Sequence, residues 1–133
     1  IGFMQKSAKA IPIPDNIEQL KKFDSEIIEA LNKKKKILIY PEGSLSLYDK
    51  TLRKFKTGAF RYSALTNKPI LPIITTFRKA KGLRKLFRKN KPFFTTTFLK
   101  PIYPDESLKE RENIIYLHNK AREVMQDFID KAY

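Results

Sequence analysis

No cysteine occurs anywhere in the chain, which excludes disulfides, thiolate zinc sites and cysteine nucleophiles. Histidine is nearly absent as well. His118 stands alone, too little from which to build a metal site, and no metal is expected. No apolar run approaches the ~20 residues that a membrane-spanning helix needs, the longest being residues 69–77. No signal peptide is visible. Acids are missing from one long stretch: residues 50–104 hold fifteen Lys or Arg and not one Asp or Glu, whereas the rest of the chain carries thirteen bases and fourteen acids. The net charge of +14 therefore resides in the middle of the sequence. Such a field attracts phosphorylated substrates, anionic lipid headgroups, an acidic carrier protein or nucleic acid. The aromatic residues in that region, Phe87, Phe93 and Phe94, belong to no recognisable RNA-binding motif, so nucleic acid is not an expected partner.

A chain of 133 residues is long enough for one domain with a real core and too short for two, so residues 1–133 are expected to form a single domain. It begins at Ile1 rather than a methionine, which fits a fragment of a larger domain lacking its N-terminal part. Asp15 and Asn16 offer N-caps for a helix over residues 17–33, in which Leu20, Phe23, Ile27, Ile28 and Leu31 recur on one face. Residues 37–40, compact and β-branched, predict a buried strand. A short helix is predicted over 59–66 with Thr57 as its cap, a Pro72-interrupted strand over 70–77 and a threonine-rich strand over 94–99. Ser107, with Glu110 in capping-box spacing, predicts the start of a long last helix, along which Ile114, Leu117, Ala121, Val124, Met125, Phe128 and Ile129 trace an apolar stripe. The expected fold is α/β: a mixed, partly parallel sheet of about four or five strands flanked by helices, with the long C-terminal helix across one face. An exposed edge strand in such a sheet invites a homodimer.

Tyr40-Pro41-Glu42-Gly43-Ser44-Leu45-Ser46 is the stretch with most chemistry in it. A hydrophobic run stops at a proline and gives way to a carboxylate, a glycine and two hydroxyls, at the carboxyl end of a predicted strand, where α/β sheets bind ligands. Thr57-Gly58 precedes the helix predicted over 59–66, whose start offers free backbone N–H groups to an anion, with Lys56 beside it. Residues 78–91 contain eight bases, and Leu83, Leu86 and Phe87 fall close to one helical face, the composition of an amphipathic segment on an anionic membrane. Ser44 and Ser46 lack the Gly-x-Ser-x-Gly elbow of a serine hydrolase. His118 and Glu123 sit five positions apart in the last helix, which turns them roughly 140° from one another, so no dyad is expected of them.

The seven-residue stretch resembles the Phe-Pro-Glu-Gly-Thr-Arg-Ser block of the glycerolipid acyltransferases, a family that includes 1-acyl-glycerol-3-phosphate acyltransferase. Phe55-Lys56-Thr57-Gly58-Ala59-Phe60 is similar to the family's Phe-Lys-x-Gly-Ala-Phe element, and Pro69-Ile70-Leu71-Pro72-Ile73 to its Pro-Ile-Val-Pro-Val strand. The likeness spans roughly residues 1–104, read as the C-terminal, acceptor-binding portion of the family's domain. It implies transfer of a fatty acyl group from acyl-CoA or acyl-carrier protein, as co-substrate, to a hydroxyl of a glycerol-3-phosphate-type acceptor in phospholipid biosynthesis. The expected location is peripheral, at the cytoplasmic side of the membrane, and no cofactor is implied. The family's base is a histidine with an aspartate five positions later, upstream of the glutamate–glycine block; this chain holds no such pair there, so no catalytic residue is assigned within it. Carried over position by position, Glu42, Gly43 and Ser44 bind the acceptor, with Lys56 and Gly58 the next phosphate contacts. Leu45 stands where the family has an arginine, and leucine cannot grip a phosphate. Either Arg53, Lys54 or Lys56 compensates, with Arg84, Lys85 and Arg88 as further phosphate or membrane contacts, or the acceptor differs from glycerol 3-phosphate. Pro69 and Pro72 are expected to shape a strand lining an acyl slot. The competing reading is a non-catalytic basic module bound to anionic membranes.

Overall fold

Asn16 opens the first helix as its composition suggests: the side-chain oxygen accepts from Gln19 N–H at 2.8 Å. The computed structural model describes residues 16–43, 49–79, 82 and 91–133. The chain divides into two compact units with the boundary between Ile37 and Leu38. In the first, α1 (Ile17–Asn32) buries Ile27, half-buries Phe23, Ile28 and Leu31, and leaves Leu20 exposed. Its C-terminus closes in a Schellman pattern. Lys34 N–H donates to Leu31 O and Lys35 N–H to Ala30 O, both at 3.0 Å, with Lys34 at φ +60°. Lys33 pairs with Glu29 one turn back, and that ammonium holds the Glu29 carboxyl below its usual range.

The second unit is built around α2 (Gly58–Thr66), the antiparallel hairpin β1 (Ile73–Arg78) and β2 (Phe93–Phe98), and α3 (Glu110–Ala132). Its core joins Phe55, Phe60, Ile102, Leu117 and Ala121, with Ile70, Ile114, Val124 and Met125 packed around them. Those last-helix positions follow the stripe read from the sequence, because burial on one side of a helix demands that spacing. Ile70 and Ile102 form an isolated antiparallel bridge ahead of the hairpin. Between bridge and hairpin lies Pro72, which has no N–H to donate but whose carbonyl accepts from Leu99 N–H at 3.0 Å. The interrupted strand is thus a bridge, a proline break and a six-residue strand. Asn67, in left-handed geometry at φ +49°, ends α2.

Two expectations change and a third is met in part. Among the described residues the sheet has two strands, antiparallel, where four or five, partly parallel, are expected. Residues 37–40 carry no strand ladder, and Leu38 and Tyr40 are exposed. β-Branched residues favour an extended chain, but a strand exists only through a partner's hydrogen bonds, and the described residues supply none there. The last helix begins at Glu110, later than a Ser107 cap requires. Ser107 instead donates through N–H and hydroxyl to Asp105 Oδ1, at 2.9 and 2.6 Å, and these bonds hold the Asp105 carboxyl below its usual range. The helix start is marked by Lys109 N–H donating to Glu112 Oε2 at 3.0 Å. Behind it, buried Asn113 clasps Asp105 in both directions, donating to its carbonyl at 2.7 Å and accepting from its N–H at 3.0 Å.

Two substitutions measure this scaffold. Leu117, fully buried, leaves a cavity when cut to alanine, so Leu117→Ala is expected to cost about 3 kcal/mol by urea denaturation. Lys34→Gly relieves a left-handed lysine and is expected to raise the stability of the first unit by about 1 kcal/mol, read by thermal melting.

Candidate functional site

Two of the motif blocks meet through the backbone. Tyr40, Pro41, Glu42 and Gly43 form a β-turn closed by Gly43 N–H to Tyr40 O at 3.1 Å, with proline and glycine at the positions such a turn favours. Pro41 O then accepts from Lys56 N–H at 2.7 Å, fastening the Phe55–Phe60 block to the turn. Phe55 and Phe60 are buried, their rings stacked at 6.3 Å, and the ring of His118 meets both edge-on at 6.2 and 5.2 Å. Arg122 reaches from α3 to Arg53 O at 3.0 Å and lies over the Phe55 ring. Anchored on each side by buried aromatics, Lys56, Thr57 and Gly58 remain at the surface.

Lys56 lies directly across the turn. A Cβ built on Gly43 would come within 2.8 Å of Lys56 Nζ and 2.7 Å of its Cε. Gly43 adopts φ +68°, left-handed geometry that glycine takes without penalty. The absent side chain thus serves twice: it permits the turn and leaves room for an ammonium against the backbone. Glu42 is half-buried beside it. Among the described residues the side chains of Glu42 and Lys56 have no hydrogen-bond or ion-pair partner. The turn thus carries a carboxylate at Glu42, and the Lys56 ammonium lies against the next residue, Gly43, groups that can meet a hydroxyl and an anion.

The other expected residues divide. Gly58 begins α2 with open space where a Cβ would stand, and no acid lies in that helix's first turn. Thr57 occupies the N-cap position without a side-chain cap bond, so the first-turn N–H groups are not covered by its hydroxyl. Arg53 has its guanidinium 3.6 Å from Asp49 Oδ2, in a loop where Asp49 also takes Thr51 N–H and hydroxyl. Those Thr51 bonds, with Arg53 adding to them, hold the Asp49 carboxyl below its usual range. Lys54 is exposed. Pro69 is exposed and Pro72 buried. Neither borders the groove of about 630 Å³ that runs past Tyr103, Tyr116 and Lys120. Ser44, Arg84, Lys85, Arg88 and the apolar positions Leu83, Leu86 and Phe87 lie outside the described residues. His118 packs on phenylalanines and contacts Asn119 at 3.0 Å, while Glu123 takes Lys120, so no dyad forms. Neither the Pro41 carbonyl nor Arg122 was visible in the sequence as a support, since a backbone acceptor exists at every position and a surface arginine is common.

Gly43→Ala forces an L-residue into left-handed geometry and pushes Lys56 off the turn. A loss of about 1 kcal/mol in denaturant stability is expected, with displaced Lys56 side-chain resonances in NMR spectra. A family model described as Acyltransferase matches residues 1–76, more than half of the chain and all three motif blocks. The match falls in the N-terminal part of the chain and stops short of the expected residue 104, leaving β2 and α3 outside it. No curated protein and no solved structure matches. With that match on the turn and on the lysine block bound to it, the chain belongs to the acyltransferase family.

Proposed function

We propose that the chain binds a glycerol-3-phosphate-type acceptor and takes part in moving a fatty acyl group onto it from acyl-CoA or acyl-carrier protein, in phospholipid synthesis at the cytoplasmic face of a membrane. The observation that carries this reading is the ammonium of Lys56 seated over the backbone of Gly43, with Glu42 beside it. In the transfer, the acceptor oxygen attacks the thioester carbonyl, the C–O bond forms as the C–S bond breaks, and the hydroxyl proton passes through a base to the leaving thiolate. Lys56 grips the phosphate, supplying the cation that Leu45 cannot. Gly43 lets backbone N–H groups approach the anion. Glu42 accepts from an acceptor hydroxyl and so fixes which oxygen faces the donor. The base is the histidine of a histidine–aspartate pair contributed from outside these residues, because His118 is committed to the aromatic cluster. The finer fold expectation, a partly parallel sheet of four or five strands completed around the turn, belongs to the same proposal.

Membrane location is inferred from the substrates and from the acid-free region of residues 50–104. Among the described residues no helix is long and apolar enough to cross a membrane. The charge excess also fits the second reading, a basic module that holds anionic membranes without catalysis; that module would bind vesicles yet show no acceptor site.

Calorimetric titration with glycerol 3-phosphate separates the two. Loss of a charge-assisted contact lowers affinity by about tenfold or more in Lys56→Ala, and Lys54→Ala is expected to change little. Equal effects of the two lysines would reduce the site to diffuse charge. In the complete gene product, Glu42→Ala is expected to abolish acyl transfer, and unchanged turnover would refute its role.

A further inference from the structure

We infer that the open face of the β1–β2 hairpin docks on an anionic lipid bilayer. The inference rests on the membrane location proposed above for its occupant, and on the hairpin alone for its geometry. The register pairs Ile73 with Phe98, Thr75 with Thr96 and Phe77 with Phe94. Side chains alternate along a strand, so these six share one face and Ile74, Thr76, Arg78, Phe93, Thr95 and Thr97 share the other. Burial differs most between Ile74 on one face and two phenylalanines on the other. Ile74 is buried, and α3 packs against β1. Phe94 and Phe98, on the opposite face, are 67% and 65% exposed. An antiparallel sheet with one wet face ordinarily turns polar residues outward; this hairpin turns phenylalanines outward instead. Such a patch marks an interaction surface.

The charge around it selects the occupant. Lys79 follows β1, Lys91 precedes β2 and Lys100 comes after it; all three are exposed, and the region contains no acid. A second copy would bring the same cations face to face and be repelled. A nucleic acid carries a phosphate at every base and calls for cations interleaved with stacking rings, whereas β2 reads Phe-Phe-Thr-Thr-Thr-Phe with its cations only beyond the ends. A bilayer separates anionic headgroups from acyl chains over a short depth, which matches apolar rings bordered by bases. The hydroxyls in the middle of the face do not oppose insertion: Thr75 Oγ1 and Thr96 Oγ1 lie 3.3 Å apart and bond to each other.

The chain has no tryptophan, so Phe94→Trp places a single reporter on the face and Ile115→Trp, at an exposed position of α3, supplies a control. With phosphatidylcholine–phosphatidylglycerol vesicles, emission from the Phe94→Trp variant is expected to shift blue and to be quenched by brominated lipid. The Ile115→Trp variant is expected to stay unchanged, and neither variant to respond to phosphatidylcholine alone. In co-sedimentation, Phe94→Ser with Phe98→Ser is expected to weaken vesicle binding by about tenfold or more, as apolar burial is lost, while circular dichroism stays unchanged because both side chains project into solvent. Vesicle binding that survives the serine pair, or equal shifts from the two reporters, would overturn the docking face. So would quenching of the Phe94→Trp reporter by a single-stranded oligonucleotide in place of vesicles, or a dimer dissolved by Phe94→Ser in sedimentation equilibrium. Glycerol 3-phosphate titration without lipid is expected to be the same in the serine variant. A failed acceptor site and a failed docking face therefore give different results.

Discussion

The hydrogen bond from Lys56 N–H to the Pro41 carbonyl fixes the candidate site. It joins two segments well separated along the chain and sets an ammonium over a glycine that has no side chain to obstruct it. The bond does not stand alone. Phe55, next to Lys56, is locked between Phe60 and His118, and Arg122 holds the Arg53 carbonyl from α3. The polar surface of the turn is thus secured by apolar contacts behind it, so the charged groups need not stabilise the fold and remain available for a ligand. The same division runs through the second unit: the core supplies position, and the exposed residues supply charge.

Much of this was legible in the sequence wherever one local rule decided the outcome. Asn16 capped α1 because an amide oxygen before a periodic apolar run has few other uses. Pro72 broke its strand because it lacks a donor. The α3 stripe turned inward, burying Leu117 and Ala121 and half-burying its other members. The rule failed where the outcome depended on distant partners. Residues 37–40 have strand composition but no ladder, since pairing is a property of two segments and the sequence describes one. Ser107 followed the pattern of a cap, yet Asp105 is two residues away and captures both its hydroxyl and its N–H. A local carboxylate won over a helix terminus.

The candidate site divides the same way. Glu42, Gly43 and Lys56 were identifiable as residue types, and the turn follows from proline and glycine at set positions. Their contact was not identifiable, because nothing in either block encodes the return of the chain that seats one on the other. Arg53 was a reasonable substitute for the arginine that Leu45 displaces, but Asp49 lies close enough to share its guanidinium. The open hairpin face also escaped the sequence. Read alone, Phe93 to Phe98 is a strand with apolar ends; only the register shows Phe94 and Phe98 together on the side away from Ile74.

The clasp between Asn113 and Asp105 has a chemical consequence. It needs a donor and an acceptor on one planar group, which among short side chains only an amide provides. Hydrolysis of that amide to a carboxylate, a slow spontaneous reaction of ageing proteins, would set an anion against the Asp105 carbonyl and turn an attraction into a repulsion. The segment leading into the longest helix is therefore latched by a bond that time alone can undo, and the burial of Asn113 shields that latch from water.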